Sequence, residues 1–283
     1  MSEPKIISSI AEARSTVLTA NAEGVKTGVV PTMGALDPGH LSLVAESNRQ
    51  CGLTVVTIFV NPTQFAEGED LDAYPRTLDA DLQKLSDYDV DFVFVPSSDE
   101  MYPEGFSTYV QPPDVANRLE GEFRPTHFRG VATVVLKLFQ AVPAESAFFG
   151  EKDFQQCAVI EKMVHDLNLG VQVVRCPIVR EADGIAMSSR NQYLDSQERE
   201  RALSLSRGLN LAQQMFDDGE RNAAKLEAEI RESLMDGRVD RIDYVAIVDS
   251  DRLQPLETLD RPAVALIAAS VGTTRLIDNR RLG

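Results

Sequence analysis

The chain has 283 residues, 43% of them hydrophobic and 25% charged, enough for one large domain or two smaller ones with a sizeable core. A formal net charge of -16 argues against a broad phosphate-backbone surface, so nucleic acid is not an expected partner, and an anionic small ligand would need a local basic pocket. No apolar stretch approaches the length of a membrane span, and the start, MSEPKIISSIAEARSTV, lacks the apolar core of a secretory signal. Cys51, Cys157 and Cys176 have neither a paired count nor metal-ligand spacing, which predicts reduced thiols in a cytoplasmic protein.

Short apolar runs alternate with longer periodic segments through the first two thirds. TGVVP (27–31) reads as a strand, GHLSLVAESNRQC (39–51) as a helix and the β-branched run TVVTIFV (54–60) as a buried strand. The segment 77–86 reads as a helix and DFVFVP (91–96) as a strand. From Gly130 a helix carries Val131, Val134, Val135, Leu138, Phe139 and Val142 on one face. ESAFFG (145–150) is a strand, a helix follows with Cys157, Ile160, Val164 and Leu167 on one face, and VQVVRCPIV (171–179) is the last strand of this rhythm. Such alternation predicts an α/β fold with a doubly wound parallel sheet.

Near residue 178 the texture changes. The polar loop READGIAMSSRNQYL leads into a helix bearing Ala202, Leu205, Leu209, Ala212 and Phe216, and a second helix spans roughly 222–235. Candidate strands follow at 242–248, 263–269 and 273–277. Helices followed by strands suggest a smaller α+β domain, giving domains of 1–178 and 179–283.

Four stretches could carry chemistry. PTMGALDPGH (31–40) runs from a strand through a glycine-bearing turn into a helix, whose unpaired amides and positive end suit phosphate, with His40 as a further donor. A plain strand–helix turn with a surface histidine would look the same. IFVNPTQF (58–65) places Asn61 and Gln64 past a buried strand, where amides orient a polar substrate or Asn-Pro merely starts a turn. In FFGEKDFQQC (148–157), Lys152 suits phosphate and Asp153 could hold Mg²⁺, with Gln156 close by; Asp153 could equally cap the helix. AMSSRN (186–191) offers two hydroxyls and a guanidinium fork at the domain junction, a common place for a ligand cleft. Arg124, His127 and Arg129 in FRPTHFRG add basic groups that stand out in an acidic chain.

PTMGALDPGH, IFVNPTQF, AYPRT, FFGEKDFQQ and DGIAMSSRNQYL, in this order and spacing, resemble the pantothenate synthetase family, and the resemblance reaches the TTRLIDN end. It implies a Rossmann-like domain, a smaller C-terminal domain acting as a lid, and a homodimer. The implied reaction joins pantoate to β-alanine with ATP and Mg²⁺, through pantoyl adenylate. The resemblance assigns ATP to Met33, Gly34, Ala35, Leu36, Asp37, Pro38, Gly39 and His40. It extends that site to Gly150, Glu151, Lys152, Asp153 and Val179, the last through its backbone. Met187, Ser188, Ser189 and Arg190 would close over the phosphates. His40, Lys152, Ser188, Ser189 and Arg190 are the implied catalytic set. Gln64 and Gln156 would hold pantoate, Gln64 also β-alanine, with Asn61, Arg124 and His127 as further substrate contacts; Asp81 and Asp153 are the candidate Mg²⁺ ligands.

One position departs from the family pattern. Where the family reads His-x-Gly-His, this chain has Asp37. An unpaired carboxylate about 4 Å from a phosphate charge would cost roughly 4 kcal/mol at an effective dielectric near 20. Asp37-Pro38 is also a good N-cap and first-helical pair. Asp37 would therefore turn outward as a cap, pair with Mg²⁺ or a basic group, or impair ATP binding. The rival readings are a different nucleotidyltransferase and a non-catalytic nucleotide-binding paralogue.

Overall fold

The computed structural model describes residues 4–66, 71–72 and 74–283. The chain forms two compact units. The first runs up to Glu151 and resumes over Val159–Pro177; the second takes Lys152–Ala158 and Ile178–Gly283.

The first unit is built on six strands: β1 (Lys5–Ile7), β2 (Thr27–Thr32), β3 (Leu53–Ile58), β4 (Phe92–Phe94), β5 (Ser146–Gly150) and β6 (Gln172–Cys176). Their order is β1-β4-β3-β2-β5-β6, and every pairing is parallel. The helices are α1 (Ile10–Ala22), α2 (Pro38–Gln50), α3 (Leu78–Leu85), α4 (Ser98–Met101), α5 (Glu120–Phe123), α6 (His127–Ala141) and α7 (Phe154–Asp166), the first turn of α7 belonging to the second unit. Strands covered on both faces read as continuous apolar runs, and Val29, Val30, Val55, Val56, Val93 and Phe94 are fully buried. Leu43 and Val44 of α2 and Leu82 and Leu85 of α3 pack with Val30, Val56, Val93 and Phe148 in one cluster.

The strand order turns around between β2 and β5. From β2 the chain steps outward through β3 to β4, and β5 returns to the other side of β2, with Gly28 facing Ser146 and Val29 facing Ala147. Ligands of open α/β sheets bind outside the carboxyl ends of the strands at such a switch point. The segments leaving β2 and β5 there are PTMGALDPGH and GEKDF.

In the second unit α8 (Ser196–Asp217) and α9 (Ala223–Asp236) pack with an antiparallel sheet of β7 (Arg241–Asp249), β8 (Ala263–Val271) and β9 (Thr274–Leu282). Asp195 caps α8 by accepting the amides of Gln197 and Glu198 at 2.8 Å, and Glu198 accepts the Asp195 amide in return. The core gathers Leu209, Leu226, Ile230, Leu234, Ile247, Ala265 and Ile267. Elements expected from the sequence recur with shifted ends: α6 starts three residues earlier than Gly130, and β9 runs to Leu282 rather than 277.

Candidate active site

The turn after β2 has an unusual backbone. Gly34 and Ala35 both take positive φ, +82° and +51°, the left-handed region that costs a residue with a Cβ. A Cβ on Gly34 would also lie 3.1 Å from the Ile58 side chain and 3.2 Å from an Asp81 oxygen. Asp81, on α3 and 0% exposed, holds the turn. Its Oδ2 accepts the Ala35 amide and its Oδ1 the Leu36 amide, each at 2.8 Å, and Thr77 Oγ1 donates to Oδ2 at 3.1 Å. Lys84 Nζ stands 3.8 Å from Oδ1 and donates to the Leu36 carbonyl at 2.6 Å. The Gly34 amide donates to Thr32 Oγ1. The expectation that Asp81 ligates Mg²⁺ does not fit this geometry: the carboxylate is out of contact with solvent and both oxygens are taken by backbone amides. Of the AYPRT motif, Ala73 lies outside the described residues.

Asp37 is the N-cap of α2, and Pro38 follows at the first helical position. Its Oδ1 accepts the His40 amide at 3.0 Å and lies 2.8 Å from His40 Nδ1. The carboxylate does not turn outward, since only 14% of the side chain is exposed; it pairs with the histidine of its own helix. This changes what the helix start can offer an anion. Pro38 has no N–H, the His40 amide goes to Asp37 Oδ1, and the Leu41 amide donates to the Asp37 carbonyl. Gly39 keeps the one first-turn amide without a partner among the described residues. The turn therefore presents the Gly39 amide and the Nε2 side of His40, whose side chain is 28% exposed.

Gln64 sits beside this turn and donates from Nε2 to Met33 Sδ at 3.0 Å. Asn61, 1% exposed, orients it: Asn61 Nδ2 donates to Gln64 Oε1 at 3.1 Å and to the Gly130 carbonyl at 3.3 Å. Asn61 Oδ1 accepts from the Tyr102 hydroxyl at 2.7 Å and from Thr63 Oγ1 at 3.0 Å. In this arrangement Asn61 holds Gln64 in place rather than presenting an open amide. Burial pushes the Tyr102 phenol above its ordinary range. His127 Nδ1 donates to the Gln64 carbonyl at 3.0 Å, so Nε2 is the lone-pair nitrogen that accepts Arg124 Nη1 at 3.2 Å. Arg129 does not join this group; its guanidinium lies 3.9 Å over the Tyr109 ring.

Gly150 ends β5, and Glu151, Lys152 and Asp153 form one 3₁₀ turn before α7. Lys152 Nζ is 3.9 Å from Asp153 Oδ1, and Asp153 is 46% exposed. Within the second unit the Lys152 carbonyl accepts Asn279 Nδ2 at 3.0 Å. Gln155 is buried, and Gln156 is half-buried one position on.

The 178–190 loop folds on itself. Arg180 pairs with Ala186 in an antiparallel bridge, and the Met187 amide donates to the Val179 carbonyl at 2.9 Å. Arg180 grips buried Asp278 with both Nη atoms at 2.8 and 2.9 Å and donates also to the carbonyls of Gly184 and Asn279. Burial and the neighbouring Arg180 charge push the Arg280 guanidinium below its usual range. Ser188 caps the short 3₁₀ helix Ser189–Tyr193 by accepting the Arg190 amide at 3.3 Å.

Thus the first unit brings together Met33–His40, Asn61, Gln64, Arg124 and His127, and the second carries Lys152, Asp153, Gln156, Val179 and Met187–Arg190. Sequence reasoning missed the supports: Thr32, Thr77, Lys84, Tyr102, Arg180, Asp278 and Asn279. Asp278 and Asn279 lay in the TTRLIDN motif, where charged and amide residues in a strand are a signal.

The sequence pattern of the family described as pantoate-beta-alanine ligase matches residues 5–281. A pantothenate synthetase of Rhodopirellula baltica is 53% identical over 262 residues, 92% of each chain. Pantothenate synthetase 1 of Bradyrhizobium diazoefficiens is 50% identical over 276 residues, 97% of each. Among solved structures, the pantothenate synthetase of Thermus thermophilus superposes with a TM-score of 0.93 at 42% identity, over 98% of both chains. The pantoate-beta-alanine ligase of Francisella tularensis, complexed with beta-gamma ATP and beta-alanine, gives 0.80 at 34% identity over 98% of this chain and 97% of that one. Family pattern, curated relatives and fold agree along nearly the whole length: the chain belongs to the pantoate–β-alanine ligase family.

Proposed function

We propose that this chain is an ATP-dependent ligase joining pantoate to β-alanine. The observation that carries the reading is family membership across residues 5–281, with His40, Gln64, Lys152 and the Ser-Ser-Arg run present on the supports described above. In the first step the pantoate carboxylate attacks the α-phosphorus of ATP, giving pantoyl adenylate and pyrophosphate. In the second the β-alanine amine attacks the acyl carbon; the C–N bond forms, the acyl–phosphate bond breaks, and AMP leaves. The protein's part is positioning and charge stabilisation.

On this reading the Gly39 amide and His40 meet ATP phosphate oxygens, joined by Lys152, Ser188, Ser189 and Arg190. The rest of the ATP site is Met33–Pro38, Gly150–Asp153, Met187 and the Val179 backbone. Gln64 and Gln156 hold pantoate, with Gln64 also facing β-alanine. Arg124 and His127 supply further polar contacts on the Gln64 side, and Asn61 keeps Gln64 in register.

Mg²⁺ belongs to the reading as the companion of ATP. The described residues hold no cluster of three or more carboxylate, histidine or cysteine ligands. Mg²⁺ usually takes one or two carboxylates and completes its shell with water and substrate phosphates, so half-exposed Asp153 fits and buried Asp81 does not. The ion would neutralise phosphate charge. A homodimer rests on the family alone, and sedimentation analysis tests it. A cytoplasmic setting draws support from three free thiols.

The test is AMP formation by the folded protein with ATP, pantoate and β-alanine, omitting each in turn. AMP that requires both pantoate and β-alanine is the expected outcome. A nucleotide transferred whole would indicate a different nucleotidyltransferase. Binding by calorimetry with no turnover would indicate a non-catalytic paralogue.

A further inference from the structure

The contact between Asp37 and His40 constrains where a proton sits. Oδ1 of Asp37 is 2.8 Å from His40 Nδ1, while the Asp37 backbone amide is 3.3 Å from the same nitrogen. The two contacts ask for opposite things. The amide would need Nδ1 bare, to accept; the carboxylate would need Nδ1 protonated, to donate. An ionised carboxylate can only accept, so a bare Nδ1 at 2.8 Å would set two lone pairs against each other. The shorter, charge-assisted contact decides the matter, and the 3.3 Å amide contact becomes incidental.

A neutral ring with its proton on Nδ1 has its lone pair on Nε2. Nε2 makes no hydrogen bond among the described residues, and the ring is partly exposed. A phosphate oxygen is likewise an acceptor, so Nε2 can bond to it only after taking a second proton. We infer that Asp37 is a positioning residue that fixes the His40 proton on Nδ1, so that His40 meets ATP phosphate as the doubly protonated ring. The carboxylate then balances the ring's charge from behind. This rests on the proposed ATP site. It also resolves the departure at position 37: a carboxylate that takes one helix amide away from phosphate returns a cationic donor aimed from the same turn.

The test is imidazole nitrogen NMR on protein labelled at its three histidines, with His40→Gln identifying the His40 signals. The neutral ring of the wild type is expected as the Nδ1–H form. Asp37→Asn, which keeps Oδ1 as an acceptor, should retain it. Asp37→Ser, which keeps a cap for the His40 amide but is too short to reach Nδ1, should shift toward the Nε2–H form that free imidazole side chains favour, with an unchanged thermal midpoint. ATP with Mg²⁺ should give wild-type His40 two protonated nitrogens, and Asp37→Ser should raise KM for ATP about tenfold, because its Nε2–H ring donates to phosphate as a neutral rather than a cationic group, with a smaller change in kcat. Finding Nε2–H in the free wild type, or the same tautomer in Asp37→Ser, would overturn the inference. Unchanged His40 signals at ATP saturation, with saturation shown by calorimetry, would instead overturn the placement of ATP at His40.

Discussion

Asp81 accepts the Ala35 amide at 2.8 Å across 46 residues of sequence, and Ala35 stands at φ +51°. A buried carboxylate thus stabilises a left-handed backbone in the turn that the family resemblance assigns to ATP. Asp81→Asn replaces one acceptor by an NH₂ facing an amide donor. The expected loss is about 2–3 kcal/mol of stability, the cost of an unsatisfied buried group at a charged acceptor. Thermal unfolding should show a lower midpoint, and KM for ATP should rise as the turn relaxes. An unchanged midpoint would contradict the clasp.

Gly130 lets α6 approach the Asn61–Gln64 segment. A Cβ there would meet the Thr63 carbonyl oxygen at 2.3 Å and Gln64 Cα at 2.6 Å, both backbone. Gly130→Ala should therefore push Gln64 away, lowering kcat/KM for pantoate by about ten- to a hundredfold, as expected for displacement of a positioning group by about an ångström. KM for ATP should move less. Steady-state kinetics with each substrate varied separates the two.

The Arg180–Asp278 pair is nearly closed to solvent on its acid side. Asp278→Asn leaves the guanidinium without its counter-charge, at an expected cost of about 3 kcal/mol. Arg180 also ties the Gly184 and Asn279 carbonyls, so the 180–186 hairpin should loosen. Faster amide exchange at Met187, whose N–H donates to Val179, would report it.

Burial is the largest influence on the Cys176 thiol and pushes it up to about 11, from 9.0. The folded state then binds more protons than the unfolded state between those values. The corresponding stability is present below pH 9 and is lost as pH rises toward 11. Urea titrations should show wild-type stability falling faster across that window than Cys176→Ala. At about pH 8, below both values, the folded protein should resist alkylation at Cys176.

Much of this was legible because parallel strands announce themselves. The runs at Val29–Val30, Val55–Val56 and Phe92–Phe94 are buried on both faces, so their apolar character is unbroken. The β1–α1 start was not, because Lys5 and Ile6 are exposed and the helix buries only Ala13, Val17 and Ala20. The last strand reads short because Asp278 and Asn279 look like a polar end; the strand continues because Arg180 and the Lys152 carbonyl satisfy them in the interior. At the candidate site the residues proposed to carry chemistry stood out by type and position. Their supports did not, since Thr77, Lys84 and Tyr102 gain meaning only from contacts with residues far away in sequence, or within a helix the periodicity leaves blank. Asp81 is the clearest case: a carboxylate near a turn that the resemblance assigns to ATP suggests a metal, and only the folded structure shows it buried and serving backbone amides.

The bond from Asn279 to the Lys152 carbonyl bears on how the protein can be handled. Pairing along β9 continues to Leu282, opposite Ala263, so the segment carrying Asn279 is woven into the sheet to its end. Trimming the chain back to residue 277 would remove the acid that grips Arg180 and the amide that anchors the lysine's backbone, while sparing every residue of the candidate site itself. A shortened protein of that kind would keep the residues proposed to meet substrate and lose the hold on Arg180 and on the Lys152 backbone, which makes β9 a poor place for deletion.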